Sequence, residues 1–220
     1  MPTPTTPTPS SPAQGRAETP IAFIQAITQA YAQRGLSPVR ALETAQIEPS
    51  LLKKNNARVT AMQMELMSGA AMQELDDEGL GWFRRRLPWG SYGMLVRASL
   101  TAPNLGVALK RWCRHHALLT DDIRLHVEEH NGKAILQLDE VHDLGAFREF
   151  CIVSVLRNAL GVACWLTDSR IPLQATTLRF APPTHRDSYK VLFEGVTTFD
   201  ALTNSLQFDA GYLALPVRRD

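Results

Sequence analysis

The residues of this sequence most suited to binding chemistry lie between Gly81 and Leu119, where aromatic and basic side chains follow one another at short spacing. The aromatic residues are Trp82, Trp89, Tyr92 and Trp112, and the polar residues beside them are Arg97, His115 and His116. Aromatic walls with a few convergent polar groups are typical of a pocket for an organic ligand, and a guanidinium suits a carboxylate. We therefore predict a ligand site with Trp89, Tyr92 and Trp112 as its apolar wall.

Charged partners for an anionic ligand come from the same block and from one later residue, Arg157. This arginine is the single charge in the apolar stretch 150–166. An uncompensated buried guanidinium costs several kcal/mol, so Arg157 requires an internal carboxylate or a bound anion. If the ligand is an anion, we predict that one or more of Arg97, Arg157 and His116 meet its charge. Trp89, Trp112 and His116 also fit a purely structural interpretation, as core aromatics and a hydrogen-bonded core histidine.

Catalytic and metal-binding signatures are missing from the sequence. It contains no Gly-x-Ser-x-Gly elbow, no phosphate-binding Gly-rich loop, no HExxH pair and no CxxC. His115 and His116 are adjacent, about 100° apart around a helix, and Cys113 shares neither face. We expect no catalytic residue, no metal site and no cofactor, although an active site assembled from dispersed residues stays open.

Composition limits the remaining classes of function. The 220 residues carry 23 Lys plus Arg against 22 Asp plus Glu, so the chain as a whole is not built to coat nucleic acid. The run Arg84-Arg85-Arg86 fits a solvated helix end better than a nucleic-acid contact. Three cysteines without framework spacing indicate reduced thiols and a cytoplasmic protein.

The chain divides into a short tail and one larger domain. Residues 1–19 are rich in Pro, Thr and Ser, and we expect a disordered tail with no secretory signal. Ile21, Ile24 and Ile27 recur at helical spacing, which predicts a first helix from about Pro20 and a domain over residues 20–220. Thr60 can cap a third helix, and the block 81–119 is expected to be helical.

The clearest strand signal is a hairpin around Asn131-Gly132. Asn-Gly suits a two-residue type I′ turn, which pairs His130 with Lys133 and places Val127 opposite Leu136. The stretch 150–166 is too short for a membrane span and predicts a buried helix. With strands near 176–180 and 205–208, the fold class is α+β: N-terminal helices, then a helical core packed on a small, mostly antiparallel sheet.

Short motifs also occur in a characteristic order. They are Ala57-Arg58-Val59, Gly79-Leu80-Gly81, Gly90-Ser91-Tyr92-Gly93, the run from Ser99 to Leu105, and a tail with Tyr189, Leu192-Phe193, Phe199, Asn204, Phe208-Asp209 and Leu213-Ala214-Leu215-Pro216. In this order the chain resembles the N-terminal effector domain of AraC-type transcriptional regulators, the arabinose-binding-domain-like family. Glu194-Gly195-Val196 departs from the Gly-x-Pro-Val of many relatives, a difference confined to a turn.

The resemblance implies a ligand-sensing, dimerising domain of a bacterial transcription regulator. Its implied partners are a small-molecule effector, for example a carboxylate, a second copy in a homodimer, and promoter DNA. DNA would be bound only through a C-terminal helix-turn-helix domain, which is expected beyond Leu215-Pro216 and is absent from the 220 residues. The expectation is therefore a sensor domain on its own or a truncated product. The alternative is a free-standing small-molecule-binding or enzymatic domain without a role at DNA.

Overall fold

A computed structural model describes residues 11–219 of the protein. Contacts divide the chain into two compact units, Met1–Ala70 and Ala71–Asp220, and each is described by itself. Part of the predicted tail, residues 1–10, lies outside the described residues.

The first unit joins short helices to a two-stranded sheet. Strand β1 (Ala17–Pro20) leads into helix α1 (Ile21–Ala32), followed by α2 (Val39–Thr44), a 3₁₀ turn (Pro49–Lys53) and β2 (Arg58–Thr60). Strands β1 and β2 pair antiparallel. Residues 17–19, which were expected to belong to the disordered tail, are therefore ordered by backbone hydrogen bonds, and their composition does not indicate this pairing. Helix α1 buries Ile21, Ile24 and Ile27, as its periodicity predicts.

Helix α3 (Ala61–Glu74) begins with a reciprocal cap. The Gln63 amide N–H donates to Oγ1 of Thr60 at 3.1 Å, and the Thr60 amide N–H donates to Oε1 of Gln63 at 3.1 Å. This capping box satisfies two of the backbone donors that a helix start leaves free, and it confirms the role predicted for Thr60.

The second unit builds a five-stranded sheet with three longer helices. The helices are α4 (Ser91–Leu100), α5 (Leu105–Leu119), α6 (Arg148–Thr167) and the single turn α7 (Tyr189–Leu192); the strands are β3 (Ile123–His130), β4 (Lys133–Glu140), β5 (Ala175–Thr177), β6 (Thr197–Thr198) and β7 (Asn204–Asp209). The strand order is β3-β4-β7-β5-β6, antiparallel except for the β5–β6 pair. This is the predicted α+β class.

The β3–β4 hairpin has the predicted register. His130 pairs with Lys133 and Val127 with Leu136, around a turn in which Asn131 and Gly132 have φ of 50° and 74°. The alternation puts Val127 and Leu136 on the buried face, where α5 packs against β3.

Helix α6 is the central helix of this unit. The stretch Gly145–Thr167 is long and apolar enough, by length and composition, to cross a membrane, yet 56% of its most apolar window is buried inside the protein. The helix begins at an ion pair in which Arg148 donates to both carboxylate oxygens of Glu140, at 2.5 and 2.8 Å. The pair joins the start of α6 to the end of β4, as expected for a core helix.

The block 81–119 is helical only in part. Residues 79–90 form turns, and α4 begins at Ser91 after Gly90, whose φ is 97°. The predicted strand 176–180 is also shorter, ending at Thr177.

Candidate functional site

The loop before α4 is held by consecutive acidic residues. The carboxylate of Asp77 accepts from the backbone N–H groups of Gly79, Gly81 and Leu87, each at 3.0 Å. Asp76 accepts from the backbone of Trp89 at 3.0 Å. A charged acceptor that binds several N–H groups fixes an irregular loop in one conformation.

Glu78 fixes the start of α4 in the same manner. Its Oε1 accepts from the N–H of Gly90 at 2.9 Å, and its Oε2 accepts from the N–H of Tyr92 at 2.6 Å. Glu78 is buried, and a carboxylate at a helix N-terminus also interacts favourably with the helix dipole. These contacts position the side chain of Tyr92. No sequence motif indicates this role of Asp76, Asp77 and Glu78, because their partners are backbone N–H groups.

Tyr92 meets two residues from one face of α5, Trp112 and His116. The Tyr92 ring stacks on Trp112 with a centroid distance of 5.9 Å and an interplanar angle of 22°. Its hydroxyl oxygen lies 3.3 Å from Nε2 of His116. Trp112 and His116 are four residues apart on a helix and therefore share a face. Three of the six predicted site residues thus form one contact group.

The group extends into a larger set that we call the aromatic cluster. Its members are Trp82, Phe83, Tyr92, Trp112, His116 and Phe150. Phe83 meets the His116 ring edge-on at 6.3 Å, and Trp82 meets Phe150 edge-on at 5.2 Å. Edge-to-face and offset arrangements at these distances are the favourable ones for aromatic rings.

The titratable members of the aromatic cluster are uncharged at neutral pH. Burial lowers the pKa of His116 from 6.5 to about 4, so the imidazole is neutral. Burial, with smaller contributions from Cys151, Glu78 and Asp77, raises the pKa of Tyr92 well above its usual value. Desolvation penalises the charged form of each group, which explains both directions.

Polar atoms inside the aromatic cluster lack partners. In the part of the chain that the structure describes, Nε1 of Trp82, Nε1 of Trp112 and Nδ1 of His116 are buried without a hydrogen-bond partner. Leaving a buried donor unpaired costs about 1–3 kcal/mol, and native proteins rarely do so. An indole N–H can only donate, so at least two of these atoms need an acceptor.

The other three predicted site residues lie elsewhere. Trp89 is 52% exposed, and Arg97 occupies an exposed position on α4. Arg157 is exposed on α6, and its Nη1 donates to the backbone carbonyl of Leu192. Within residues 11–219, the ring contacts and hydrogen bonds of the aromatic cluster include none of these three side chains. Arg157 thus has a main-chain oxygen as a partner, where an internal carboxylate or a bound anion was expected.

The basic run before α4 is partly neutralised. Arg84 donates from its backbone N–H to Oδ2 of Asp122 at 2.8 Å and from Nε to Oδ1 at 2.6 Å. Asp122 is buried, and desolvation would raise its pKa, but hydrogen bonds from Arg84 and Thr120 lower it overall. Arg84 is therefore a structural residue of a loop, not part of a helix end.

No metal centre was expected near His115 and His116. Among residues 11–219, no group of three or more His, Cys, Asp or Glu residues could hold an ion.

A concave region lies at the N-terminal end of α5. It has a volume of about 1040 Å³ and is lined by Lys110 of α5, Glu128 and Glu129 of β3, and Asp209 at the end of β7, among others. Its charged lining differs from the aromatic cluster and suits a polar ligand or solvent.

An α+β domain with a buried, uncharged aromatic cluster has the chemistry of a small-molecule-binding domain. Comparison with known families identifies the chain more closely: residues 35–217 match the profile described as the arabinose-binding domain of AraC transcription regulators, N-terminal. The chain belongs to this family.

Individual relatives are regulators from Pseudomonas aeruginosa. The chain is 26% identical over 201 residues to an ornithine utilization regulator, covering 90% of this chain and 59% of the relative. The crystal structure of the transcriptional regulator CdpR is similar over 90% of this chain and 57% of that one, with 16% identity and a TM-score of 0.47. The chain therefore spans a little more than half the length of the relatives it matches. Membership of the family of AraC regulator domains favours the regulatory interpretation over a free-standing domain.

Proposed function

We propose that this domain recognises an organic effector at the aromatic cluster and controls transcription in response to it. The observation that supports the site most is the group of buried, unpartnered atoms on Trp82, Trp112 and His116, beside the hydrogen-bonded Tyr92. A bound acceptor would give such a donor the partner that it lacks. Family membership supports the sensing role, and the site itself is our inference.

An effector bound to this domain would affect DNA binding only through other parts of an intact regulator. We propose that a DNA-binding part accompanies this domain, that the intact protein is a cytoplasmic homodimer, and that the domain has no catalytic role. An effector changes such a protein only if it binds one of two arrangements more tightly than the other. The N-terminus of α4, positioned by Glu78 and carrying Tyr92, is the element that a ligand at the cluster would displace.

A metabolite screen tests the proposal. A ligand that binds only the folded state raises the apparent melting temperature, so a thermal-shift screen of amino acids, amides, ketones and aromatic acids identifies effectors. Ornithine belongs in the set because of the named relative. We expect a hit whose shift is lost in Trp112→Phe, which keeps a ring but removes the N–H, and retained in the control Trp89→Phe. A hit with equal shifts in both variants contradicts the proposed site.

The assembly state is tested separately. Soluble oligomers most often use a two-fold interface, so sedimentation at tens of micromolar should show a species of twice the 24.4 kDa chain mass. A single 24.4 kDa species over that range contradicts dimerisation through this domain.

A further inference from the structure

We infer that the effector recognised by the aromatic cluster is an uncharged molecule that carries a hydrogen-bond acceptor, such as a carboxamide or a ketone. The inference rests on the proposed function, because it concerns the ligand class of that same site. It differs from the anionic effector expected from Arg97 and Arg157, both of which occupy exposed positions.

Hydrogen-bonding capacity defines the first part of the ligand class. The two indole groups offer N–H donors only, from Trp82 and Trp112. His116 engages Tyr92 through Nε2, so its Nδ1 is the nitrogen left for a ligand. A ligand that pairs with one of these N–H groups therefore needs at least one oxygen or nitrogen acceptor.

Charge defines the second part. A carboxylate bound here would meet no cation among the cluster residues, and the acidic groups nearest Tyr92 include Glu78 and Asp77. Taking an anion out of water toward these two carboxylates is unfavourable. A cationic ligand is also disfavoured. The carboxylates of Asp77 and Glu78 already accept hydrogen bonds from backbone N–H groups, and the indole groups cannot accept any.

The stacked pair of the cluster includes its one half-buried member. The Tyr92 and Trp112 rings are nearly parallel, 22° apart, with their centroids 5.9 Å apart, so the faces that they turn to each other are already filled. Tyr92 is only partly buried, so the cluster reaches the protein surface at this residue.

Matched pairs of probes test the charge requirement. Benzamide and benzoate, nicotinamide and nicotinate, and indole-3-acetamide and indole-3-acetate differ in charge and little in shape. We expect isothermal titration of the 220-residue chain at neutral pH to show at least one amide that binds at least tenfold more tightly than its acid. Trp112→Phe should weaken that amide at least tenfold, and Trp89→Phe should leave it unchanged. If Trp112→Phe does not fold, Trp82→Phe serves in its place.

The outcomes separate the ligand class from the site. Acids that bind more tightly than amides and are lost in Trp112→Phe overturn the uncharged-ligand inference and leave the proposed site in place. Amides that bind equally well to wild type, Trp112→Phe and Trp82→Phe overturn the site. If none of the three amides binds, the inference about ligand class is wrong, and the metabolite screen still decides the proposed function on its own.

Discussion

The hydroxyl oxygen of Tyr92 lies 3.3 Å from Nε2 of His116, which joins the first turn of α4 to the last turn of α5. Both groups are neutral because burial disfavours their charged forms. The contact is a polar link inside an otherwise apolar cluster, and protonation of His116 would make both of its ring nitrogens donors.

Stability should therefore fall as His116 is protonated. The folded-state pKa of about 4 lies below the ordinary value of 6.5, so the unfolded chain binds a proton more readily between these values. The contribution is fully present above pH 6.5 and is lost as the pH falls toward 4. One pKa unit corresponds to about 1.4 kcal/mol, so the full effect is on the order of 3 kcal/mol.

Chemical denaturation at pH 7 and pH 4.5 measures this effect in wild type and in His116→Gln. The variant removes the titrating group, so its loss of stability between the two pH values should be smaller. An equal loss in both proteins would show that His116 titrates normally in the folded state.

Glu78 should stabilise the start of α4. Glu78→Gln removes the charge and one of the two acceptors that bind the N–H groups of Gly90 and Tyr92. Loss of a buried charged cap of this kind costs about 1–2 kcal/mol. Urea unfolding gives the difference, with Glu129→Gln on an exposed strand position as the control, for which we expect less than about 0.5 kcal/mol. Equal effects in the two variants contradict the capping role.

The three cysteines should differ in reactivity. Cys113 and Cys151 are buried and Cys164 is only half-buried. Burial raises the pKa of Cys113 to about 12 and that of Cys151 well above its usual value, which suppresses the reactive thiolate. A thiol reagent should label one cysteine quickly in the folded protein, and Cys164→Ser should abolish that phase. Two or more fast thiols would show that Cys113 or Cys151 is accessible to the reagent in the folded protein and would contradict this prediction.

The chain on its own should bind DNA negligibly. Its net charge is +1, and Arg84 of the basic run is bound to Asp122. Titration against promoter-length duplex at low salt should give no tight complex. Tight binding that strengthens steeply as salt falls would contradict this, since the slope counts phosphate contacts.

The sequence was sufficient to predict those elements of the fold whose structure depends on residues close together in the chain. Asn131-Gly132 alone specifies the turn and hence the β3–β4 register, and the all-round apolar stretch 150–166 specifies a buried helix. Strand β1 was not predictable in the same way, because residues 17–20 are ordered by a ladder to Arg58–Thr60, a pairing distant in sequence.

The candidate site was predictable in composition and only partly in geometry. Trp112 and His116 share a helix face by their spacing, and Tyr92 reaches them. Trp89 lies in the loop held by Asp76, and Arg157 donates to the carbonyl of Leu192. The spacing of residues in the sequence does not predict either contact. The three-dimensional course of the 79–90 loop depends on carboxylate-to-backbone bonds, which sequence patterns do not encode.

The indole N–H resonances test the central claim most directly, that an effector is recognised by the aromatic cluster. The four tryptophans give four indole signals in a ¹H–¹⁵N spectrum, each assigned from a Trp→Phe variant. On addition of the tightest amide from the matched pairs, we expect the Trp112 signal, with or without that of Trp82, to move downfield as its N–H gains an acceptor, while the exposed Trp89 and Trp165 stay in place. Shifts confined to Trp89 or Trp165, or none on saturation with the amide, would contradict the account.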